Sequence, residues 1–343
     1  MFTVVDQASL QAAKRQGTHL RTAHYQVNGE MRSVNYRLEN GRVVIPAGEI
    51  GSLGSLSGLS NIEQLTGRMA LDVEIGREQV NLLYKPIYDP ITDPNFPSIV
   101  EGKWAMRGIV VFLQIMELEE IKYGHFEAEQ GPGATINTFA AMLPVTRQMI
   151  DFNQAWNVTE VSRSFGEAYN ALLNHVHLNP ILTHNYASGN QTAYQTGGEG
   201  APAWLGVYNT LAKGLKDADA AKRPANTLLV SRIYRQDVEM AIRGGHQLNG
   251  TIYPPLPIDT VIYYDGWTIT WNKKTVTYAG CGNDYGYLIR PKRGFKELIK
   301  RDLVTEKVAG DPSRMIDDVW RGYCYRGLYA AIAENVQRVD LSA

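Results

Sequence analysis

The feature that most constrains this chain is a pair of long apolar segments joined by a polar, glycine-rich tip. The first segment, 103–123, is rich in isoleucine, valine and aromatic residues, and its expected partner runs over 135–150. This composition favours β-strands. The tip between them, 124–133 (GHFEAEQGPG), is too polar to form a core of its own. Because an isolated two-stranded ribbon is barely stable in water, we expect this arm to lie on another chain.

Length and composition indicate an ordinary globular protein. The 343 residues suffice for about two domain-sized cores. A hydrophobic content of 44% and a charged content of 20% exclude global disorder. The formal net charge is −1, whereas proteins that neutralise nucleic-acid phosphates usually carry a basic excess. We therefore expect no sequence-specific nucleic-acid-binding module, although a wall that merely faces nucleic acid is compatible with this charge.

Cysteine content and hydropathy restrict where the protein is made and kept. Cys281 and Cys324 are far apart in sequence, which argues against a secreted domain built on disulfides. The first ten residues are too polar for a signal peptide, and no run of about 18 apolar residues indicates a membrane-spanning helix. We expect a cytoplasmic protein, unless it is assembled into something that leaves the cell.

The N-terminal residues carry a basic excess. A short helix is predicted over 6–15, with Asp6 as its N-cap. Lys14, Arg15 and Arg21 outnumber the single acidic residue in this region. Little apolar periodicity follows up to residue 24, so the pattern predicts a basic, loosely held arm.

A small β-meander and a flexible connection are predicted next. The Asn-Gly pairs at 28–29 and 40–41 are strong hairpin signals. Residues 48–67 are rich in glycine, serine and leucine and contain no GxxxxGK[ST] phosphate-binding sequence, which favours a flexible connection. The meander strands are expected at 25–27, 33–38 and 42–45.

Residues 84–97 (YKPIYDPITDPNFP) hold four prolines. Proline lacks the amide hydrogen that helices and central strands require, so we expect an extended strap that lies over another surface. The basic arm, this strap and the two-stranded arm are the parts expected to touch neighbouring chains. The expected contact residues are Lys14, Arg15, Arg21, Tyr88, Phe96, Phe126, Glu127, Glu129, Gly131, Pro132 and Gly133.

The rest of the chain mixes helices and strands, which predicts an α+β fold. The clearest helix covers 159–176, a second runs from Pro202 to about 216, and a third covers 232–242 and is closed by Gly244-Gly245. A polar loop is expected at 186–200. Strands are predicted at 226–230, 260–264, 267–271, 275–279, 285–289, 295–305, 315–329 and 336–341.

No enzyme or metal motif is found. His175, His177 and His184 lack the i,i+4 spacing that puts two ligands on one helix face, so we interpret them as exposed histidines near a helix end. The segment 54–58 (GSLSG) places leucine where a GxSxG nucleophile would stand. Cys281 is interpreted as a small turn residue. We therefore predict no catalytic residue, no metal ligand and no cofactor.

Other residue types point to protein contacts rather than to chemistry. The 19 tyrosines suit protein–protein interfaces better than a single-stranded nucleic-acid platform. The acidic pairs at 217/219 and 317/318 are interpreted as solvated turns, since no phosphate-binding loop accompanies them.

At this point the order of elements resembles the HK97-like major capsid proteins of tailed double-stranded DNA bacteriophages. The resemblance covers roughly 103–341 and is one of element order and local texture. NTLLVSR (226–232) is similar to the strand that leads into an axial-domain helix. LPIDTV (256–261) and WRGYCYRGLYAAIAEN (320–335) are similar to later segments of that family. The resemblance implies an extended loop at about 108–146 and a spine helix at 159–176.

The implied domains follow this order. An N-terminal arm with the β-meander and the proline-rich strap covers 1–102, and the extended β-loop covers 103–150. The spine helix and the first part of the peripheral domain cover 151–195, the axial domain 196–285, and the C-terminal strands of the peripheral domain 286–343. The meander and the 48–67 segment match no family part, and no charged helical scaffold segment is present.

The function implied is structural. Subunits would assemble into pentamers and hexamers of an icosahedral shell around packaged double-stranded DNA, through procapsid maturation in the host cytoplasm, and would end in the virion. The implied partners are other copies of the chain, separate scaffolding, portal and decoration proteins, and DNA in non-specific proximity, with no membrane. Three alternatives stay open: a nanocompartment shell like the encapsulins, a hydrolase with a scattered site, and a tail or portal protein.

Overall fold

A computed structural model describes residues 2–5, 21–27, 30–39, 42–46, 62–100, 106–108, 126–128, 134–146, 155–248, 251–271, 274–309 and 316–342. Its helices are α1 Ile62–Gln79, α2 Ala155–Thr183, α3 Ala203–Ala220, α4 Arg235–Arg243 and α5 Ile332–Asn335, with short 3-10 helices at Ser188–Asn190 and Arg232–Tyr234. The α+β class is confirmed.

The strands are β1 Phe2–Val5, β2 Arg21–Val27, β3 Glu30–Glu39, β4 Arg42–Pro46, β5 Asp89–Thr92, β6 Ile99–Val100, β7 Met106–Gly108, β8 Phe126–Ala128, β9 Ala134–Thr146, β10 Gln191–Thr192, β11 Thr227–Val230, β12 His246–Leu248, β13 Thr251–Tyr253, β14 Thr260–Tyr263, β15 Gly266–Trp271, β16 Lys274–Ala279, β17 Tyr285–Ile289, β18 Phe295–Ala309, β19 Ile316–Ala330 and β20 Val336–Asp340.

The chain forms two compact units. Unit 1 comprises Met1–Leu82, Thr138–Leu173 and Lys300–Arg326. Unit 2 comprises Leu83–Asn137, Asn174–Ile299 and Gly327–Ala343.

Unit 1 is built on a sheet with the strand order β1-β4-β3-β2-β18-β19-β9. β2, β3 and β4 pair antiparallel, which confirms the predicted meander with longer strands. β1 lies parallel to β4, and β18 lies parallel to β2. Alternate residues of β2 and β3 face the same side, as the period of a strand requires, and pack on α1. This core consists of Ala23, Tyr25, Val34, Tyr36, Ala70 and Leu71.

Two predictions for the N-terminal region are wrong. The flexible connection at 48–67 ends earlier than expected, because α1 begins at Ile62. The loosely held arm is contradicted at both of its ends, where β1 pairs with β4 and β2 begins at Arg21. β1 is held by pairing with the distant strand β4, a contact that local sequence does not reveal. The helix predicted at 6–15 lies outside the described residues.

α1 and α2 cross in unit 1 with their backbones in contact. A β-carbon on Gly76 would lie 1.9 Å from the Arg163 carbonyl oxygen. A β-carbon on Gly166 would lie 2.0 Å from the carbonyl oxygen of Val73. Each helix therefore places a glycine against the backbone of the other, and a side chain at either position would push the two helices apart.

Unit 2 contains a five-stranded sheet with the order β10-β20-β17-β11-β14. β11 is buried at every residue, and α3 and α4 pack with it in one core that includes Leu211, Leu228 and Val238. The helices predicted from Pro202 and at 232–242 are confirmed, the latter with a 3-10 first turn and a positive φ of 61° at Gly244.

The predicted strands do not all join one sheet. β17 pairs with β11 and β20, but β15 and β16 pair only with each other among the described residues. β18 belongs to the larger sheet instead of continuing that of β17. Strand patterns define where strands lie, whereas their partners are chosen by packing.

The strap and the two-stranded arm also differ from expectation. β5, in the strap, pairs parallel with the first part of β18, with Pro90 opposite Glu297 at an edge where a missing amide hydrogen is tolerated. β7 pairs antiparallel with β8, so Gly108 stands opposite Phe126. The described part of the 103–123 segment, β7, therefore pairs with 126–128 and not with the expected partner at 135–150. β9 instead pairs with β6 and lies beside β19.

Candidate functional site

The aromatic residues of the strap are buried within unit 2. Tyr88 is 1% exposed, and its hydroxyl donates a hydrogen bond to the His177 carbonyl oxygen at 2.8 Å. Phe96 is 9% exposed and packs with Val100 and Leu298. Both side chains pack within their own unit, which leaves them little surface for contact with another chain.

A buried polar cluster joins the strap to α2 and β18. The Tyr84 hydroxyl donates to Glu297 Oε1 at 2.8 Å, and His177 Nε2 lies 3.5 Å from the same oxygen. The rings of Tyr84 and His177 stack with their centroids 3.8 Å apart. A buried carboxyl group is costly unless it is hydrogen-bonded, so this cluster stabilises the position of the strap.

The interpretation of the histidines as exposed residues near a helix end is wrong for His175 and His177, whereas the half-buried His184 directly follows the end of α2. α2 continues to Thr183, so His175 and His177 lie inside the helix, and His177 is 1% exposed. His175 stacks on Tyr278 with centroids 4.7 Å apart, and burial lowers its pKa. Among the described residues no group of three histidines, cysteines or acids is placed to hold a metal ion.

The two cysteines are poor nucleophiles. Burial, with a smaller effect of Asp265, raises the pKa of Cys281 to about 12. Burial also raises the pKa of Cys324. Since the thiolate is the reactive form, both groups stay protonated near neutral pH. Cys281 therefore acts as a small buried residue, as its turn sequence suggested.

Unit 1 holds a network of charged side chains around Asp302. Arg326 donates to Asp302 Oδ1 at 2.5 Å, and Arg77 Nη2 lies 3.9 Å from Oδ2. The Tyr169 hydroxyl also donates to Oδ1, at 3.1 Å. Burial alone would raise the pKa of Asp302, but Arg326 and Arg77 outweigh it and lower this pKa to about 2. The network ties α1 and α2 to β18 and β19.

Three further expected contact residues, Arg21, Phe126 and Glu127, lie within the described part of the chain. Arg21 lies at the start of β2 and pairs with Glu78 of α1, with 46% of its side chain exposed. Phe126 and Glu127 lie in β8, on the returning limb of the two-stranded arm and not at its tip. The other expected contact residues, Lys14, Arg15, Glu129, Gly131, Pro132 and Gly133, lie outside the described residues.

Three two-stranded ribbons are surfaces that the sequence predicted only in part. Within the described ranges, β7–β8, β12–β13 and β15–β16 pair with no further strand. On β15–β16, Ile269 stands opposite Val276, and these side chains are 37% and 48% exposed. Ile252 of β13 is 67% exposed. Ribbons of this kind gain stability when another surface covers their apolar residues.

None of the described helices is long and apolar enough to cross a membrane. No protein-family model matches the sequence, and the comparison with curated proteins finds no match.

Solved structures do match. The capsid of Myoviridae phage XM1 is 11% identical over 76% of this chain and 92% of that chain, with a TM-score of 0.51. The mature capsid of bacteriophage PhiM1 is 11% identical over 76% and 87% of the two chains, with a TM-score of 0.49. A virus-like particle from Pyrococcus furiosus is 9% identical over 79% and 97%, with a TM-score of 0.46.

At this identity a match speaks for the fold alone, and among these three structures the XM1 capsid has a TM-score above 0.5. The match covers 92% of the XM1 chain. The chain therefore has the HK97-like fold of tailed-phage capsid proteins.

Proposed function

We propose that this protein is a structural major capsid protein whose copies assemble into a closed shell. The observation that carries the proposal is the match in fold to the XM1 capsid over 76% of the chain. Because one fold can serve several functions, the proposal needs support from surfaces as well. That support is the ribbons β12–β13 and β15–β16, whose exposed apolar residues suit contacts with neighbouring subunits.

Pentamers and hexamers are the assembly units that we propose for this shell. Weak contacts suffice in a closed lattice, because each subunit is held by several neighbours at once. A separate scaffolding protein, a portal and decoration proteins are proposed as partners, and packaged double-stranded DNA as the content. Assembly is proposed to take place in the host cytoplasm and to end in the virion.

We propose no catalytic activity for the chain. The buried, protonated thiols of Cys281 and Cys324 and the buried position of His177 support this proposal. These groups are held in packing and hydrogen bonding, where substrate cannot approach them without local opening.

Sedimentation and negative-stain electron microscopy of the purified protein test the proposal. We expect capsomers or closed shells, formed by the chain alone or with a scaffolding protein from the same genome. A stable monomer under every condition would contradict a capsid role. Shells filled with protein cargo and no DNA would indicate a nanocompartment, rings or tubes another virion component, and a small oligomer with hydrolytic activity an enzyme.

A further inference from the structure

Unit 2 contains an open pocket of about 660 Å³ with a strongly basic lining. This volume lies in the usual range for small-molecule sites. Four cationic side chains line it, Lys222, Arg223, Arg290 and Arg293, against one acidic side chain, Glu334. The proposed assembly assigns no role to this pocket.

Arg223 is a buried cation whose hydrogen-bond partners among the described residues are all neutral. It is 8% exposed, and its guanidinium donates to the carbonyl oxygens of Ala333 and Gly189 and to Gln337 Oε1. Its Nε atom has no hydrogen-bond partner among the described residues. Burial lowers its pKa. A buried charge normally requires an opposite charge, so an anion in the pocket would complete this site.

The other three cationic side chains of the pocket also lack an acidic partner among the described residues. Within the part of the chain that the structure describes, Lys222, Arg290 and Arg293 form no ion pair with a carboxylate. Arg290 Nη1 lies 3.5 Å from the carbonyl oxygen of Lys222. Burial and the nearby charge of Arg293 both lower the pKa of Arg290, so two like charges are held close together.

Two residues at the pocket have a left-handed backbone conformation. Lys222 has a φ of 60°, and Lys292, between the two pocket arginines, has a φ of 64°. No other non-glycine residue among those described has a positive φ. Lys222 directly follows the C-cap of α3, where a left-handed residue commonly ends a helix. Lys292 lies in a bend between β17 and β18, and residues with a β-carbon usually avoid this region there.

We propose that this pocket binds a phosphate group. Its lining carries four positive charges and one negative charge, and a phosphate with about −1.5 to −2 charges offsets this excess better than a single carboxylate does. Arginine side chains also match phosphate oxygens with paired hydrogen bonds. The phosphate can belong to a free phosphate or phosphate ester, or to the backbone of a nucleic acid. This proposal is independent of shell assembly.

Titration calorimetry on the purified full chain tests the proposal with two probes at constant ionic strength. The probes are inorganic phosphate and a single-stranded oligonucleotide of about ten residues without terminal phosphates. Sodium acetate serves as the carboxylate control. Binding of inorganic phosphate alone assigns the site to free phosphate groups, and oligonucleotide binding that phosphate displaces assigns it to a nucleic-acid backbone. Absence of both, or equally strong binding of acetate, overturns the proposal.

A pair of double variants locates the binding. Arg290→Gln with Arg293→Gln should weaken binding at least tenfold, about 1.4 kcal/mol. The matched control, Arg232→Gln with Arg243→Gln, removes the same charge from side chains that are 69% and 79% exposed, and should leave affinity within about twofold. Circular dichroism checks folding, and if the pocket pair unfolds, the exposed Arg293 is changed alone. Undiminished binding by the folded pocket variant overturns the proposal.

Discussion

Glu297 is a carboxyl group placed where water cannot reach it. It is 4% exposed, and the Tyr84 hydroxyl and the His177 ring surround it within unit 2. A hydrogen bond to a buried charged group contributes more than one between neutral groups, because the alternative is an unsatisfied charge. The position of the strap in unit 2 depends on this interaction, since Tyr84 is its first residue.

Tyr84→Phe should therefore destabilise the protein by about 1.5–3 kcal/mol, since it removes the hydroxyl and keeps the ring. Urea unfolding followed by circular dichroism measures the difference. Tyr285→Phe is the matched control, because that ring is half-buried and lies over Arg338, and its loss of a hydroxyl should change stability by less than about 0.5 kcal/mol. Equal effects of the two variants would show that Glu297 does not depend on Tyr84.

Asp302 makes the stability of unit 1 depend on pH. Its pKa is lowered to about 2 in the folded protein, against about 3.9 in an unfolded chain. The unfolded state then binds more protons between these values, so stability rises with pH across this window and is fully present above about pH 4. Half of the side chain is exposed (50%), so solvent screening limits the contribution to about 1 kcal/mol.

Asp302→Asn tests this linkage. We expect the variant to be less stable than the parent by about 1 kcal/mol near neutral pH, and the difference to shrink as the pH falls from about 4 toward 2. Urea unfolding at a series of pH values gives both curves. A difference that stays constant down to the lowest accessible pH would contradict the assigned ion pairs.

At the scale of elements, the crossing of α1 and α2 depends on two residues without side chains. Gly76 and Gly166 each face a carbonyl oxygen of the other helix, at Arg163 and Val73. Glycine is a poor helix former, so each one weakens its own helix in order to allow close packing.

Gly76→Ala and Gly166→Ala should each destabilise the protein by about 1–3 kcal/mol, because the overpacking outweighs the gain of about 1 kcal/mol in helix propensity. Gly282→Ala is the control, since a β-carbon there meets nothing within 4 Å. Its stability should stay equal or rise by up to about 1 kcal/mol. Thermal unfolding compares the three, and helix-crossing variants as stable as the parent would show that the helices can move apart freely.

The β7–β8 ribbon permits a defined test of the two-stranded arm. Since Gly108 stands opposite Phe126, residues 109–125 can be excised and the strands rejoined by Asn-Gly, a two-residue hairpin turn. We expect a folded subunit that assembles poorly or not at all, because the excised residues include the apolar Ile109, Phe112 and Ile115. Electron microscopy and circular dichroism measure the two properties.

Charge reversal at two glutamates is a less disruptive change in the same arm, for comparison with the excision. Glu127→Lys with Glu129→Lys should weaken assembly less than the excision, since ion pairs at a wet rim contribute only about 0–1 kcal/mol each. Normal shells from the excised variant would rule out an assembly role for the arm.

At the scale of the whole molecule, we expect residues 1–20 to contribute to shell assembly more than to the folding of the subunit. Deletion of residues 1–20 removes β1, an edge strand, and keeps the pairing of Arg21 with Glu78. We expect the subunit to stay folded, because terminal segments contribute little to a core, while shells lose resistance to heat. Light scattering during heating measures shell stability. The full-length variant Lys14→Gln with Arg15→Gln shows whether charge is involved, and shells unaffected by the deletion would exclude a clasping role.

The sequence by itself determined much of the secondary structure and the order of elements. The Asn-Gly pairs set the meander, Pro202 precedes α3, and Gly244 follows α4, because these signals act through local backbone geometry. The same order of elements was enough to suggest the HK97-like fold. The predicted helix 159–176 is shorter than α2 at both ends, because α2 begins at Ala155 and continues past Pro180 to Thr183.

Only the tertiary structure decided which segments pair and which side chains are buried. α1 crosses α2 closely at two glycines, and β8 pairs with β7, and both contacts join residues that are apart in sequence. The burial of His177 beneath Tyr84 and the gathering of Arg223, Arg290 and Arg293 around one pocket have the same origin. Local pattern carries the geometry of each element, whereas contacts between elements arise from packing that no single segment encodes.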